Sequence, residues 1–360
     1  MLVGETLSNF LSQDWRLRAR VFREAIDVSQ YPIDAVSIAR LTENEAVESR
    51  LIQPDFTFEF GPFELTSDDQ ARLLGDQEML MVQCLEQHLG IIDDLLTREF
   101  SFLPRWQIDD VMASIGYDGA NCGAHFDHYD VFLLQVSGSK VWHLDREIHT
   151  DNQLLSDQDL RLLDNFEPVE KLLLEPGDVL YIPPGAGHHG ICEGESLTLS
   201  VGIRNPTTTE MLAEISEFAL ENTKLDTLET SLHKGSAEIS AGIPAALKTN
   251  LDQLLDEAML QRWYGSYVTR LRNPEVLSPV DSGDTSPPKV KANLPTRMAW
   301  MDTADSILFF VNGECYERSA EERNWIVTLC ESRKLELTKP DEPFQALLSE
   351  LNAAGALSPV

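Results

Sequence analysis

The feature that most constrains this chain is the change of period between Trp106 and Arg204. Apolar residues arrive there in short runs: Val111-Met112-Ala113, Val131-Phe132-Leu133-Leu134, Val141-Trp142-His143-Leu144, Lys171-Leu172-Leu173-Leu174, Val179-Leu180-Tyr181-Ile182 and Leu197-Thr198-Leu199-Ser200-Val201. Gly, Asp, Asn or Pro separates most of them. Many short strands broken by turn residues predict a sandwich or a barrel. Ser137-Gly138, between two of the runs, predicts a tight hairpin turn.

Helical spacing flanks this segment. Leu7 to Ile26 has helical patches at Phe10, Leu11, Trp15 and Leu17. Thr66 to Thr97 is predicted helical, with Asp68, Asp69 and Gln70 at its start, apolar residues at Leu73, Leu74, Met81, Leu85, Leu89 and Ile92, and Gly75 and Gly90 as punctuation. Pro206 ends the strand region. A helix is expected over Thr207 to Asn222, with threonine caps, Glu210 in the first turn and Met211, Ile215 and Phe218 on one face. Pro244 opens a second, carrying Leu247, Leu251, Leu254, Leu255 and Met259. Ser278 to Pro288 is polar and proline-rich and is the best linker candidate. Ile307 to Val311, Asn312-Gly313 and Glu314 to Tyr316 predict a hairpin, and helices follow at Ala320 to Arg333 and Glu342 to Ala353. With 360 residues, 42% of them hydrophobic, the chain can build two or three domains.

The chemistry sits inside the strand-rich segment. In a strand, residues i and i+2 share a face, so His125 and Asp127 can approach one metal together. Downstream, Gly177-Asp178-Val179-Leu180-Tyr181-Ile182-Pro183-Pro184-Gly185-Ala186-Gly187-His188 reads as turn, strand, proline-glycine turn and histidine. It fits the second cupin motif, G-x5-P-x-G-x2-H, at each fixed position, although Cys192 stands where that motif has an asparagine. Two histidines and one carboxylate, with coordination sites left open, are the ligand set of non-haem iron(II) oxygenases, whereas zinc draws on more histidine or cysteine. Lys140 alternates with Trp142 and Leu144. If those two point inward Lys140 does too, and a buried ammonium needs an anion. His128, His143, His149, His189 and His233 are read as non-ligands. No nucleophile elbow or phosphate loop is present.

Asp and Glu total 60 against 28 Lys and Arg, a formal net charge of −32. Such a surface repels nucleic acid and suits either solubility or a basic macromolecular partner. Five scattered cysteines without a CxxC pair argue for a reducing compartment. No apolar run reaches 18 residues, and the N-terminus lacks a signal-peptide pattern, so a cytoplasmic protein is expected.

Several stretches resemble the JmjC-type 2-oxoglutarate oxygenases, in particular the bacterial ribosomal oxygenases, which hydroxylate an arginine of the sixteenth large-subunit ribosomal protein. The likeness is carried by Gly61-Pro62-Phe63-Glu64, Trp106-Gln107-Ile108-Asp109-Asp110-Val111-Met112, His125-Phe126-Asp127-His128-Tyr129-Asp130-Val131-Phe132, Gln135, Gly138, Trp142, Glu175 to Gly185 and Ser200-Val201-Gly202. The resemblance implies an α+β chain. A double-stranded β-helix, the cupin/JmjC jelly roll, would occupy residues 1–205 together with an N-terminal helical extension. A helical dimerisation segment would follow over 206–277 and a winged-helix-like module over 289–360. It implies iron(II) on His125, Asp127 and His188, and 2-oxoglutarate on Lys140. Members compared have arginine at that position; lysine keeps the charge and loses the planar fork. Ser114 and Ser200 match polar positions near the co-substrate, and Tyr129 and Asp130 would lie at the substrate mouth. The segment Gly116 to Gly123 departs from the family's more glycine-rich loop. The implied activity is 2-oxoglutarate-dependent hydroxylation of a basic ribosomal protein by a homodimer that binds neither nucleic acid nor membrane. Three alternatives stay open: a hydroxylase or demethylase of another basic protein, a non-catalytic cupin-fold binding or regulatory protein, and a cupin metal isomerase with no need of Lys140.

Overall fold

A computed structural model describes residues 4–64, 74–156, 160–222, 241–277, 289–337 and 342–360. The expected linker Ser278 to Pro288 and His233 lie outside these residues. The chain divides into two compact units, the first formed by Met1–Asn205 with Asn273–Pro279 and Asn293–Pro295.

In chain order the first unit contains α1 (Gly4–Gln13), β1 (Arg20–Phe22), α2 (Ala35–Leu41), β2 (Ser49–Ile52), β3 (Phe58–Phe60), β4 (Met79–Val82), α3 (Gly90–Glu99), β5 (Ile108–Gly116), β6 (Val131–Ile148), β7 (Glu170–Leu174), β8 (Val179–Ile182) and β9 (Ala186–Ile203). Its sheet runs β1-β8-β6-β9-β5-β4-β2-β3, and β7 pairs with β6 beyond β8. Two strands organise it. β6 and β9 are 18 residues each and run antiparallel from Val131↔Gly202 to Ile148↔Ala186.

The hairpin expected at Ser137-Gly138 is not there. Residues 131–134 and 141–144 lie on one continuous strand, and Ser137-Gly138 is an irregularity within it, with register shifts at Gln135/Ser137 and Gly138/Ser139. Bulges bend a long strand and let it pass from one sheet layer to the next, which is how a jelly roll turns its corners. Gly138 has φ +61°, and a Cβ there would fall 1.6 Å from the Glu195 carbonyl oxygen. Gly138→Val is therefore expected to destabilise the metal-free protein by at least about 2 kcal/mol, from left-handed backbone strain plus the clash. A fall in the denaturant midpoint checks this; an unchanged midpoint contradicts it.

Alternation along β6 explains why its apolar runs are unbroken: both faces are buried. Phe132 and Leu134 join Phe10, Ile38, Leu96, Phe100, Tyr181, Leu199 and Val201 in the core under the helices. Val131, Leu133, Trp142 and Leu144 face the other way, with Leu174, Leu180 and Ile182, into the roll. Each such side chain contributes about 1.5–3 kcal/mol of burial.

The helix expected over Thr66 to Thr97 is also corrected, over its described part. Residues 79–82 form β4, paired antiparallel with β2 and β5. Cys84 follows in a left-handed conformation, φ 55°, which no helix continues through, and α3 starts only at Gly90. Met79, Leu80 and Val82 are fully buried. A two-sided strand followed by a helix mimics one helical stripe when only apolar positions are counted.

The second unit, Pro206–Arg272 with Val280–Ala292 and Thr296–Val360, contains α4 (Thr208–Asn222), α5 (Ile243–Leu254), α6 (Glu257–Thr269), β10 (Lys289–Ala292), β11 (Met298–Asp302), β12 (Ser306–Val311), β13 (Glu314–Ser319), α7 (Arg323–Ser332), β14 (Lys334–Glu336), α8 (Glu342–Ala353) and β15 (Leu357–Pro359). Met259 does not continue the Pro244 helix. Asp256 interrupts it and caps α6 by accepting from the Met259 N–H at 2.8 Å. The hairpin at Asn312-Gly313 forms as expected, with both residues at positive φ (52° and 95°) between β12 and β13. β11-β12-β13 and β14-β10-β15 are two small sheets, and Ile307, Phe309, Ile326, Leu329, Phe344, Leu347, Leu351 and Leu357 share one core. Among the described residues no helix is long and apolar enough to cross a membrane.

Candidate metal centre

The site grows out of the β6–β9 pair. Tyr181 and Ile182 end β8, Pro183-Pro184 stops it, and Gly185 at φ +79° reverses the chain so that β9 delivers His188 to the inner face. His188 and His125 form an isolated antiparallel bridge: His125 N–H donates to the His188 carbonyl at 3.0 Å, and His188 N–H donates to the His125 carbonyl at 2.8 Å. Gly185 N–H donates to the Asp127 carbonyl at 2.7 Å. Backbone pairing thus fixes all three candidate ligands to one short stretch of β9.

One ligand atom from each of His125, Asp127 and His188 lies within 4.8 Å of the others. The sequence expectation that these three converge is met in space, and among the described residues no other His, Cys, Asp or Glu group of three does the same. His188 Nε2 stands 3.5 Å from the Asp127 carboxylate, and the two imidazole centroids are 4.2 Å apart. The tautomers follow from the partners. His125 Nδ1 is 3.0 Å from the Gly123 carbonyl and His188 Nδ1 is 3.0 Å from the Ala186 carbonyl. A carbonyl only accepts, so both Nδ1 atoms carry a proton, which leaves the two Nε2 atoms as the ligand positions. Burial and the neighbouring His125 push His188 down to about 4, so it stays a neutral ligand near pH 7. Burial alone would lower His125 too, but the Cys122 sulfur at 4.0 Å, Asp127 and the Gly123 carbonyl outweigh it and raise it to about 10. Without an ion His125 therefore holds a second proton near pH 7, and a bound divalent cation would take that proton's place. Two imidazoles, one carboxylate and open positions fit iron(II).

The second half of the site is a buried cation. Lys140, on β6 itself, is 3% exposed. Its Nζ donates to Ser114 Oγ at 3.0 Å and lies 5.3 Å from the centre of the Trp142 ring. No ion pair involving Lys140 occurs among the described residues. The Trp142 ring also neighbours His188, centroids 5.9 Å apart, and its buried Nε1 has no partner among the described residues. Gly190 makes room for this ring, since a Cβ there would sit 2.8 Å from it. An anion with hydrogen-bond acceptors, reaching from Lys140 past Trp142 to the metal, fits these unmet needs. Ser200 pairs with Met112 and Leu133 and so faces the interior with Ser114.

Tyr129 is half-buried beside Gly202 and Asp110. Asp130 does not lie at a mouth. It is fully buried, accepts from the Tyr181 hydroxyl and pairs with Arg16 at 3.7 Å. Burial raises its pKa, against the Tyr181 hydrogen bond that lowers it. The five other histidines within the described residues stay out of the centre, His88 among them. His128 meets Asp151 and Arg161, His149 meets Asp145, His143 faces His189, and His189 meets Asn121. Nothing in the residue pattern marks Gly123, Ala186 or Asn121 as supports: backbone carbonyls leave no trace in residue type, and Asn121 looks like any turn residue.

A His-Asp-His cluster with open positions beside a buried ammonium, inside a jelly roll, is suited to hold a metal together with an anionic co-ligand. Comparison with known proteins points the same way. Residues 95–211 match the JmjC domain family. The chain is 29% identical over 283 residues, 75% of it and 73% of the relative, to the ribosomal protein uL16 3-hydroxylase of Escherichia coli. It is 32% identical over 213 residues, 58% of it and 52% of the relative, to a probable ribosomal oxygenase of Haemophilus influenzae. The ribosomal oxygenase YcfD of Escherichia coli, solved in complex with cobalt and succinic acid, superposes with a TM-score of 0.78 at 25% identity, covering 98% of this chain and 97% of that one. Residues 95–211 thus match the JmjC domain on a cupin jelly roll, and the chain is similar to bacterial ribosomal oxygenases.

Proposed function

We propose that this protein is an iron(II)- and 2-oxoglutarate-dependent oxygenase that hydroxylates a side chain of a basic ribosomal protein, with an arginine of the sixteenth large-subunit protein as first candidate. One observation carries the reading. Two imidazoles aimed by backbone carbonyls, with the Asp127 carboxylate, stand on the same inner face as a buried lysine that no carboxylate of the described residues neutralises. The relatives named above support the substrate class. When bound, iron(II) would let dioxygen hydroxylate an unactivated C–H bond with 2-oxoglutarate as the two-electron reductant, one oxygen atom entering the product and the other succinate, with release of carbon dioxide. The chain does the rest. His125, Asp127 and His188 hold the ion and leave positions open. Lys140 and Ser114 take the distal carboxylate, Ser200 lies on the same face, and Trp142 with Leu144 keeps the cavity dry. Tyr129 offers an aromatic face to a guanidinium. The net charge of −32 favours a cationic partner over nucleic acid.

The test is incubation with iron(II), 2-oxoglutarate and purified ribosomal proteins, followed by intact-mass analysis. One added oxygen on a single basic protein is expected, absent with His125→Ala. Loss of a methyl group would indicate demethylation, and unchanged masses without succinate release would indicate a binding protein.

The reading extends to the rest of the chain. Residues 1–205 form the catalytic domain, 206–277 a dimerisation segment and 289–360 a winged-helix-like module, in a cytoplasmic homodimer. Support comes from α5, which buries none of its residues and exposes Leu247, Leu251 and Leu254, and from α4, which exposes Leu212 and Leu220. Such a stripe is what a second copy would cover. Light scattering is expected to give twice the chain mass, and Leu251→Glu to halve it; a monomeric wild type contradicts the proposal.

A further inference from the structure

The histidine pair at the start of β9 presents only one ring to the candidate metal. His189 points to the opposite face and reaches the loop that carries the other histidine ligand. Its Nε2 lies 3.0 Å from Asn121 Oδ1. The same oxygen accepts from the Gly123 N–H at 3.0 Å, and Asn121 Nδ2 donates to the Gly119 carbonyl at 3.0 Å. Gly123, in turn, accepts from His125 Nδ1 through its own carbonyl, at 3.0 Å.

Each proton in this chain is assigned by its partner. The Gly123 N–H can only donate, so the Asn121 atom it meets is the amide oxygen. That oxygen can only accept, so His189 Nε2 carries a proton. The peptide of Gly123 is thus held at its N–H by Asn121, while its C=O holds the ring of His125. Gly119 and Gly123 both adopt positive φ (+82° and +81°), so the loop's own backbone preference does not fix it. Other ties are Gly119 N–H to the Cys192 carbonyl and Cys192 N–H to the Ala120 carbonyl, both 3.0 Å, Ala120 N–H to the Tyr117 carbonyl and Leu163 N–H to the Ala124 carbonyl, both 2.9 Å, and Gly194 N–H to the Asp118 carboxylate at 3.1 Å. They anchor the loop on either side of Gly123. Among the described residues the Asn121 side chain is what meets the Gly123 N–H.

We infer that Asn121 and His189 are positioning residues: together they set the direction and tautomer of His125 by fixing the Gly123 peptide. The inference rests on the metal centre proposed above. Outer partners of this kind typically alter metal affinity about 10–100-fold. The donor matters here, and the ring does not. Gln at 189 carries an amide N–H that can meet Asn121 Oδ1; Leu carries none.

The test is titration of the metal-free full-length protein with cobalt(II), read as affinity and as the visible ligand-field spectrum, with thermal melting of the metal-free form alongside. His189→Leu and Asn121→Ala are expected to weaken cobalt(II) about 10–100-fold and shift the spectrum, and His189→Gln to restore both to near wild type. Equal affinity in His189→Leu and wild type overturns the inference. So does equal loss in the Leu and Gln variants, or a metal-free Leu variant that melts far below wild type, since the residue is then merely structural. A wild type that binds no cobalt(II), or a His125→Ala variant that binds as well as wild type, removes the metal centre itself.

Discussion

Replacing His188 by alanine is expected to abolish turnover while leaving the fold in place. The imidazole contributes one of only three protein ligands, and its N–H and carbonyl, which bridge to His125, belong to the backbone and survive the substitution. A metal centre supplies several kcal/mol of transition-state stabilisation. Losing about 4 kcal/mol corresponds to a roughly 10³-fold fall in rate, at 1.36 kcal/mol per tenfold. Succinate release and substrate hydroxylation should fall together, and a thermal melt of the metal-free variant should stay close to wild type. Retention of more than a tenth of the rate would place the ion elsewhere. Asp127→Ala should behave alike, because its carboxylate is the only anionic ligand and balances the cation.

Lys140→Met should act with opposite signs on two observables. In the metal-free protein the ammonium is buried with a hydroxyl and an indole face for company. Taking a charge out of water is costly, and an apolar side chain of similar length removes that cost. The metal-free variant is therefore expected to be as stable as wild type or more so. The co-substrate, however, loses the partner of its distal carboxylate. Breaking a buried, hydrogen-bonded ion pair costs about 3–5 kcal/mol. The KM for 2-oxoglutarate should then rise by a factor on the order of 10²–10³. Lys140→Arg should retain most of the affinity, since charge is what the carboxylate needs, although the planar fork must find new room. A Lys140→Met enzyme with an unchanged KM would favour a cupin whose chemistry needs no such anion.

The residue patterns exposed the centre of this protein better than its periphery, for physical reasons. His125, Asp127 and His188 were legible because metal ligation demands particular side chains, and strand geometry allows only certain spacings. Lys140 was legible because it alternates with two large apolar residues. The Ser137-Gly138 bulge was misread as a turn. Both devices use a glycine at positive φ, and only the partner strand, 60 residues downstream at Ser196 and Glu195, tells them apart. Residues 79–97 were misread for a related reason: β4, a left-handed Cys84 and α3 together imitate one amphipathic stripe. Asp130 looked like a free acid beside an aromatic residue. Its burial under Tyr181, 51 residues downstream, and Arg16, near the N-terminus, comes from distant segments that no local pattern reports. The same holds for Asn121, whose bond to His189 becomes visible only when β9 lies beside its loop.

The central claim is that one ion sits where three side chains from two distant stretches meet. Anomalous diffraction at the cobalt edge, from crystals of the cobalt-loaded protein, tests it most directly. A single peak about 2.0–2.2 Å from the Nε2 atoms of His125 and His188 and from an Asp127 carboxylate oxygen is the predicted result. A peak held by other groups, or none between these three with cobalt in excess, would contradict it.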